Sequence, residues 1–345
     1  IVFFCLSIIS ALFADNSSLA IEGLRKRLNL LVLFWLIVRL VDNEQRLRAV
    51  ILAVVLSTLV STGLATFGFA TGIQAVPAID PDTGTVVSST RQAGAASSNP
   101  ATSSRLMLAG TALAAVLAIR CRKRRALYAA TALIGTAGIM VTFTRSTLLV
   151  LMLGATWLLF KMRRHRHVVA IGVAAALIFT MALALAPAYL WDRMGHFGSR
   201  GSDPTLSRRV GYHLIGLDLL GRNPVLGVGP QNFRWHYLDF EYRSMPGRFM
   251  EKRDLHNMYL SVPVETGLLG FVCFAAMLMV AIRGVIRVRQ RGKDAALSAY
   301  AEAMEFSFAL LLVAAAFGAL ETSKFLWIFL GLAVAVDRIS REQEG

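Results

Sequence analysis

The sequence predicts an all-α, polytopic integral membrane protein with about ten transmembrane helices and one large, partly helical outer loop. Three observations carry this. First, 56% of the 345 residues are hydrophobic, 17% are charged and the mean hydropathy is +0.58. A soluble domain of this size does not need that much apolar material. Second, apolar runs recur from end to end, at about 1–14, 28–41, 49–70, 105–119, 126–142, 147–160, 168–190, 258–282, 303–320 and 325–337. In hydrocarbon every backbone N–H and C=O must be paired within the protein, so such runs become helices. Third, basic residues gather in short clusters between the runs, where they act as topology determinants.

The chain starts at Ile1 in mid-run, without Met or a cleavable signal, which reads as an N-terminus with earlier spans missing. The clusters "RCRKRR" (120–125), "KMRRHRH" (161–167) and "RGVIRVRQRGK" (283–293) are short Lys/Arg-rich connections. Loops of that kind stay in the cytoplasm. Alternation then places the Ser/Thr/Gly-rich loop 71–104 and the long loop 191–257 outside and the C-terminal tail inside. The chain thus divides into transmembrane helices over 1–190, a periplasmic loop with an amphipathic helix over 191–257, and C-terminal transmembrane helices over 258–345. One cluster disagrees: "RKR" at 25–27 falls outside in this scheme. The net charge of +15 belongs to these clusters and does not imply a nucleic-acid partner. Cys5, Cys121 and Cys273 are far apart and form no CxxC pair, so neither structural zinc nor a disulfide framework is expected.

The stretch 126–160 is flanked on both sides by cytoplasmic clusters and must cross and return within 35 residues. That is roughly 52 Å of helix, whereas two full crossings of a core of about 30 Å use about 40 residues. Its apex, "TFTRST" at 142–147, therefore belongs at or just below the outer surface, with Arg145 on it. An arginine at that depth is a functional candidate, and a snorkelling helix-end arginine is the plainer reading. In the outer loop, "DPTLSRRVGYHLIGLDLLGRNP" reads as a helix: Asp203 can cap it, Pro204 suits the first turn, and Gly221 with Pro224 stops it. Leu206, Val210, His213, Leu217 and Leu220 form one apolar stripe, with Arg209 beside it and Arg208 nearly opposite. Such a helix lies along the interface, and Arg208 and Arg209 either anchor it or face a ligand.

Gly227 and Gly229 with Pro230 make a tight turn, not a dinucleotide-binding loop. His256 stands at the mouth of the span that starts near Met258. It is either a satisfied interfacial side chain or a base, since the ordinary histidine pKa near 6.5 permits base chemistry at neutral pH. Glu265 is nine residues deeper and is expected to make a structural hydrogen bond within the bundle, neutral or held by donors. Arg145, Arg209 and His256 thus share one side of the membrane. Arginine forks bind phosphate oxygens, and a neutral histidine takes a proton from a hydroxyl.

"RQAGAASSNP" (91–100), "TFTRSTLL" (142–149), "SRRVGYHLIGLDLLGRNPVLGVGPQNF" (207–233) and "HNMYLSVPVETGLLG" (256–270), in this order, resemble the O-antigen ligase and O-antigen polymerase superfamily of bacterial envelope glycosyltransferases. The resemblance implies transfer of a glycan from undecaprenyl diphosphate to an acceptor hydroxyl, such as lipid A core, at the periplasmic face of the bacterial inner membrane. It implies that Arg145 and Arg209, with Arg208 and Arg91 in the same substrate-binding set, hold the diphosphate. His256 then acts as the base, Asn257 supports it, and the Gly227–Gly229 turn shapes the loop. An aromatic that the family often carries a turn after the arginine of the outer helix appears here as Tyr212 or His213, so both arginines stay in play. Members of the ligase type are thought to need no metal and no cofactor. In agreement, the outer loop has no DxD pattern, and its acids, Asp239 and Glu241 among them, sit close to basic residues. The partners implied are the lipid-linked glycan donor, a lipid A core or glycan acceptor, and membrane lipid. A polysaccharide polymerase or a protein O-oligosaccharyltransferase of the same superfamily shares these motifs. A transporter of an anionic lipid or glycan is the non-enzymatic alternative, though no internal repeat supports it.

Overall fold

The computed structural model of the chain describes residues 1–73, 92–95, 97, 99–161, 163, 170, 172–173, 176–177, 180, 204–248, 252–292 and 294–343. Regular structure among the described residues is helical, apart from one isolated bridge between Gly94 and Ser97. In chain order the helices are α1 (Val2–Leu12), α2 (Ser17–Leu40), α3 (Glu44–Thr71), α4 (Pro100–Arg120), α5 (Arg125–Met140), α6 (Arg145–Lys161), α7 (Pro204–Arg222), α8 (Phe233–His236), α9 (Met258–Arg291), α10 (Ala295–Ala315) and α11 (Lys324–Glu342). Single 3₁₀ turns lie at Phe240–Tyr242 and Leu320–Thr322. Among the described residues, α3, α4, α9 and α10 are long and apolar enough to cross a membrane. The expected segment 168–190 and loop 71–104 fall largely outside the described residues.

The helix limits follow from side-chain chemistry. Asn43 accepts a hydrogen bond from the Arg46 N–H at the start of α3, and Gly72 ends that helix at φ +72°. Asn99 accepts from the backbone of Ala101 and Thr102 ahead of Pro100 in α4. Asp294 does the same for Ala296 and Leu297 at the start of α10.

The chain folds as two units, each drawn from three separated stretches. One comprises Ile1–Arg39, Tyr189–Ala281 and Ala315–Gly331; the other comprises Leu40–Ala188, Ile282–Ala314 and Leu332–Gly345. In the second unit, α3, α4 and α5 pack through small residues. A Cβ at Gly138 would stand 2.6 Å from that of Thr62, so the glycine is what lets α5 approach α3. At the opposite end from the α5–α6 turn, Arg120 bonds Glu302 at 3.0 Å, Lys161 reaches Glu302 at 3.6 Å and Glu305 at 3.8 Å, and Arg289 bonds Glu305. One member of each of the three basic clusters therefore meets the same acidic pair on α10.

In the first unit, α1 and α2 form a hairpin against α9. Arg27 of α2, 4% exposed, donates to Glu265 of α9 at 2.6 Å and to Ser7 of α1 at 2.9 Å. This accounts for the cluster that disagreed with the charge rule. Arg27 neutralises a carboxylate inside the protein, and Lys26 pairs with Glu22 one turn away at 2.7 Å. Helix α9 is broken at Gly267, whose φ of +68° and ψ of 179° are not helical. Its first segment packs with α7 and the intervening loops around Tyr212, Ile215, Leu219, Phe233, Tyr237, Leu255 and Val264.

Candidate functional site

Helix α7 forms over the expected stretch, but a different face turns inward. Gly211, Tyr212, Ile215, Gly216 and Leu219 are buried, whereas Val210 and Leu217 of the expected stripe are 44% and 56% exposed. The side chain of Leu206 lies outside the described residues. The physical reason is close approach. A Cβ at Gly216 would stand 2.7 Å from Leu255, and one at Gly211 would collide with the Pro246 carbonyl. Glycines carry little hydropathic weight, so the contact face is under-counted and the exposed Leu/Val face over-counted. Arg208 is one turn ahead of Tyr212 on the inward face, and Gly247 packs against its backbone. Both arginines are partly buried, so the choice between Arg208 and Arg209 stays open. Arg209 lies beside His213, where burial and then the Arg209 charge hold the imidazole below its ordinary pKa.

The loop after α7 is clasped onto the break in α9. The Val228 N–H donates to the Val264 carbonyl at 2.9 Å, the Gly229 N–H to that of Glu265 at 3.1 Å, and the Leu268 N–H to that of Pro224 at 2.8 Å. The broken helix frees carbonyls and the loop satisfies them. A Cβ at Gly227 (φ +71°) would stand 2.6 Å from the backbone of Glu265, Thr266 and Gly267 alike. The glycines of "LGVGP" and of "ETGLLG" are thus two halves of one contact. From the other side, Asn232 and Asn16 exchange hydrogen bonds of 2.9 and 3.2 Å. Glu265, read as a structural residue, has its carboxylate held by Arg27 and by the Gln231 backbone, and its carbonyl also accepts from Ser10 at 2.7 Å.

His256 sits between this clasp and the start of α9 in a left-handed conformation, φ +57°. That region is sparsely populated by residues other than glycine, with asparagine, aspartate and histidine the commonest exceptions. Leu255 before it is buried in the aromatic cluster. Asn257 after it caps α9: its Oδ1 accepts from the Tyr259 N–H at 3.0 Å, and its carbonyl accepts from Ser261 at 2.7 Å. The Asn257 side chain therefore fixes the helix that carries the histidine. The imidazole packs on Tyr212 with ring centroids 5.8 Å apart, and Tyr212 packs edge-on against Tyr237 at 5.4 Å. Two residues upstream, Asp254 is gripped by both ends of the Arg234 fork, one bond measuring 2.9 Å. Burial opposes ionisation of Asp254, but Arg234 and, at longer range, His256 and Lys26 outweigh it and hold the carboxyl below its ordinary value. Arg234 and Asp254 were not legible as site residues; an Arg–Asp pair 20 positions apart leaves no sequence signal.

In the second unit, Arg145 is the first residue of α6, beyond a turn in which Phe143 has φ +50°. The Thr144 carbonyl accepts from the N–H groups of Thr147 and Leu148, and Ser104 of α4 bonds Thr147 at 2.8 Å. A helix N-terminus carries partial positive charge, so Arg145 there reinforces an electropositive end rather than cancelling it. Arg105, next to Ser104, is also buried and was not singled out from the sequence. Arg91 lies outside the described residues.

The parts described suit acid–base and anion chemistry. The histidine is held in a fixed, partly accessible position beside aromatic rings. Arginines stand on α7 and at the tip of the α5–α6 hairpin. Among the described residues the acids of the stretch 204–257 have partners: Asp239 bonds the His236 ring at 2.9 Å, Arg222 pairs with Glu241 and Asp218 at 2.8 Å each, and Arg234 pairs with Asp254. No curated protein matches the chain. A family model described as O-antigen ligase matches residues 130–275, a stretch that holds every expected site residue except Arg91. The match supports a likeness of this stretch to the O-antigen ligase superfamily.

Proposed function

We propose that the protein is a lipid-linked glycan transferase of the ligase type, working at the periplasmic face of the inner membrane. The donor is a glycan on undecaprenyl diphosphate and the acceptor is a hydroxyl of lipid A core. A ring nitrogen of His256 takes the proton from the acceptor hydroxyl as its oxygen attacks the anomeric carbon. The glycosyl–oxygen bond to the diphosphate breaks, and the diphosphate leaves with the electron pair. The α7 arginines, Arg208 foremost by its register with Tyr212, stabilise that growing charge, and the resemblance assigns Arg145 the same role. The observation that carries this reading is His256 itself, at φ +57° and packed against the tilted ring of Tyr212 within the matched stretch.

The test is glycan transfer by purified protein in nanodiscs, with an undecaprenyl-diphosphate-linked oligosaccharide, lipid A core and EDTA. His256→Ala is expected to abolish product while donor binding persists. Arg145→Ala and Arg208→Ala are each expected to lower turnover roughly 10²–10³-fold, as for loss of one donor to a developing anion. Chain extension without added acceptor would instead assign a polymerase, and full activity of His256→Ala would refute the base.

A further inference from the structure

We propose that a polar cavity at the basic end of the second unit seats one phospholipid with a zwitterionic headgroup, phosphatidylethanolamine by its chemistry. Asp294 takes the ammonium, and Arg291, Ser340 and Gln343 take the phosphodiester. The cavity shares no residue with the site described above, and the inference stands whether or not His256 is a base.

The local sequence builds the cavity. Helix α9 ends at Arg291, and Gly292 (φ +60°) turns the chain so that α10 can start at Ala295. Asp294 caps that start with one carboxylate oxygen, Oδ1, which accepts from the N–H groups of Ala296 at 2.7 Å and Leu297 at 3.2 Å. The last turn of α11 brings Ser340, with Gln343 just beyond it. These helix ends enclose a cavity of about 170 Å³ lined by Arg291, Asp294, Ser298, Ser340 and Gln343 over the buried side chains of Val288 and Leu297. That is many times the space one water needs.

Its lining is not that of a plain anion site. Ser340 is 7% exposed, yet its hydroxyl has no hydrogen-bond partner among the described residues. A buried hydroxyl left unpaired is costly, so it marks a place where a polar ligand atom belongs. The second oxygen of Asp294, Oδ2, also has no partner among the described residues. The surrounding charges are matched within the protein: Arg289 bonds Glu305, and Arg287 and Arg341 pair with Asp337 at 3.3 and 2.7 Å. The cavity therefore offers one guanidinium, one carboxylate oxygen and neutral donors. A phosphate alone would leave the carboxylate oxygen unmatched. An ammonium joined to a phosphodiester by a short carbon link answers both charges. Position favours a lipid as the bearer of that group. Helix α10 is apolar enough to cross a membrane and about 32 Å long, close to the hydrocarbon thickness of about 30 Å. Asp294, directly before it, thus stands at headgroup depth, where polar pockets between helix ends take up lipid headgroups.

The test is native mass spectrometry of the protein in mild detergent, offered equal amounts of phosphatidylethanolamine and phosphatidylglycerol with the same acyl chains. Wild type is expected to retain one phosphatidylethanolamine in preference. In Asp294→Asn the amide oxygen still caps α10, and the preference is expected to fall about fivefold, the weight of one partly exposed ion pair. Ser340→Leu fills the cavity and is expected to release the lipid, with thermal unfolding in the same detergent reporting whether the fold persists. Should that variant unfold, Gln343→Ala, at an exposed position, carries the test: it is expected to weaken retention without changing the preference. Four results would each overturn the proposal. They are no lipid retained by wild type, phosphatidylglycerol retained as well as phosphatidylethanolamine, a preference unchanged in Asp294→Asn, and free phosphoethanolamine held as tightly as the lipid.

Discussion

Arg27 and Glu265 make the strongest energetic statement at the scale of single residues. Their ion pair is buried, so its worth lies less in attraction than in the cost of breaking it. Arg27→Met alone is expected to destabilise the protein by about 3–5 kcal/mol, because it leaves a buried carboxylate without its cation. The double variant Arg27→Met/Glu265→Gln is expected to recover most of that loss, as measured by thermal unfolding in detergent. The sequence made Glu265 legible as a residue held by donors, since a carboxyl within an apolar run needs them. It did not reveal the donor, because Arg27 looked like one more member of a basic cluster. The same limit applies to the helix that carries Arg208 and Arg209. Its place was readable, but the face it packs inward depended on Gly211 and Gly216, whose contribution is the absence of a side chain.

At the scale of elements, apolar runs marked α5 and α6 to within two residues and α3 and α4 to within five, because composition and caps act locally. The break in α9 was not visible in that way. "ETGLLG" continues an apolar helix unless another strand of chain arrives to take its freed carbonyls, and that strand is "LGVGP", about forty residues earlier. The start of α9 holds a second buried carboxyl. Glu321, in the 3₁₀ turn between α10 and α11, accepts from Ser261 at 2.7 Å. Burial and then the nearby Glu265 push its pKa up to about 8, against the opposing Ser261 hydroxyl and Arg27. A raised folded-state value means that its contribution to stability is complete below the ordinary 4.5 and is lost as pH rises through about 8. Glu321→Gln mimics the protonated form. It is expected to unfold at nearly the wild-type temperature at pH 5 and at a higher temperature than wild type at pH 8. A difference curve that is flat across that window would show the carboxyl to be ionised throughout.

For the whole molecule, the convergence of Arg120, Lys161 and Arg289 on Glu302 and Glu305 gives the charge-derived topology a structural counterpart. Three clusters far apart in sequence share one end of the second unit, as loops on one side of a membrane must. Which side that is has a direct test. In a chain with Cys5, Cys121 and Cys273 replaced, a cysteine at Lys123 should resist an impermeant maleimide added to intact spheroplasts, and one at Ser244 should react. The reverse pattern would put His256 out of reach of a periplasmic glycan. The Arg27–Glu265 pair also bears on how such a protein is made. During synthesis Arg27 emerges 238 residues before Glu265, and Asn16 emerges 216 before Asn232. Contacts that distant in sequence close last. Until α9 leaves the ribosome, the first hairpin carries a cation with no counter-ion and the outer loop has nothing to clasp. Biogenesis therefore withholds the clasp until α9 has been made, and a nascent protein stalled before residue 265 would display an orphan charge in place of the assembled loop.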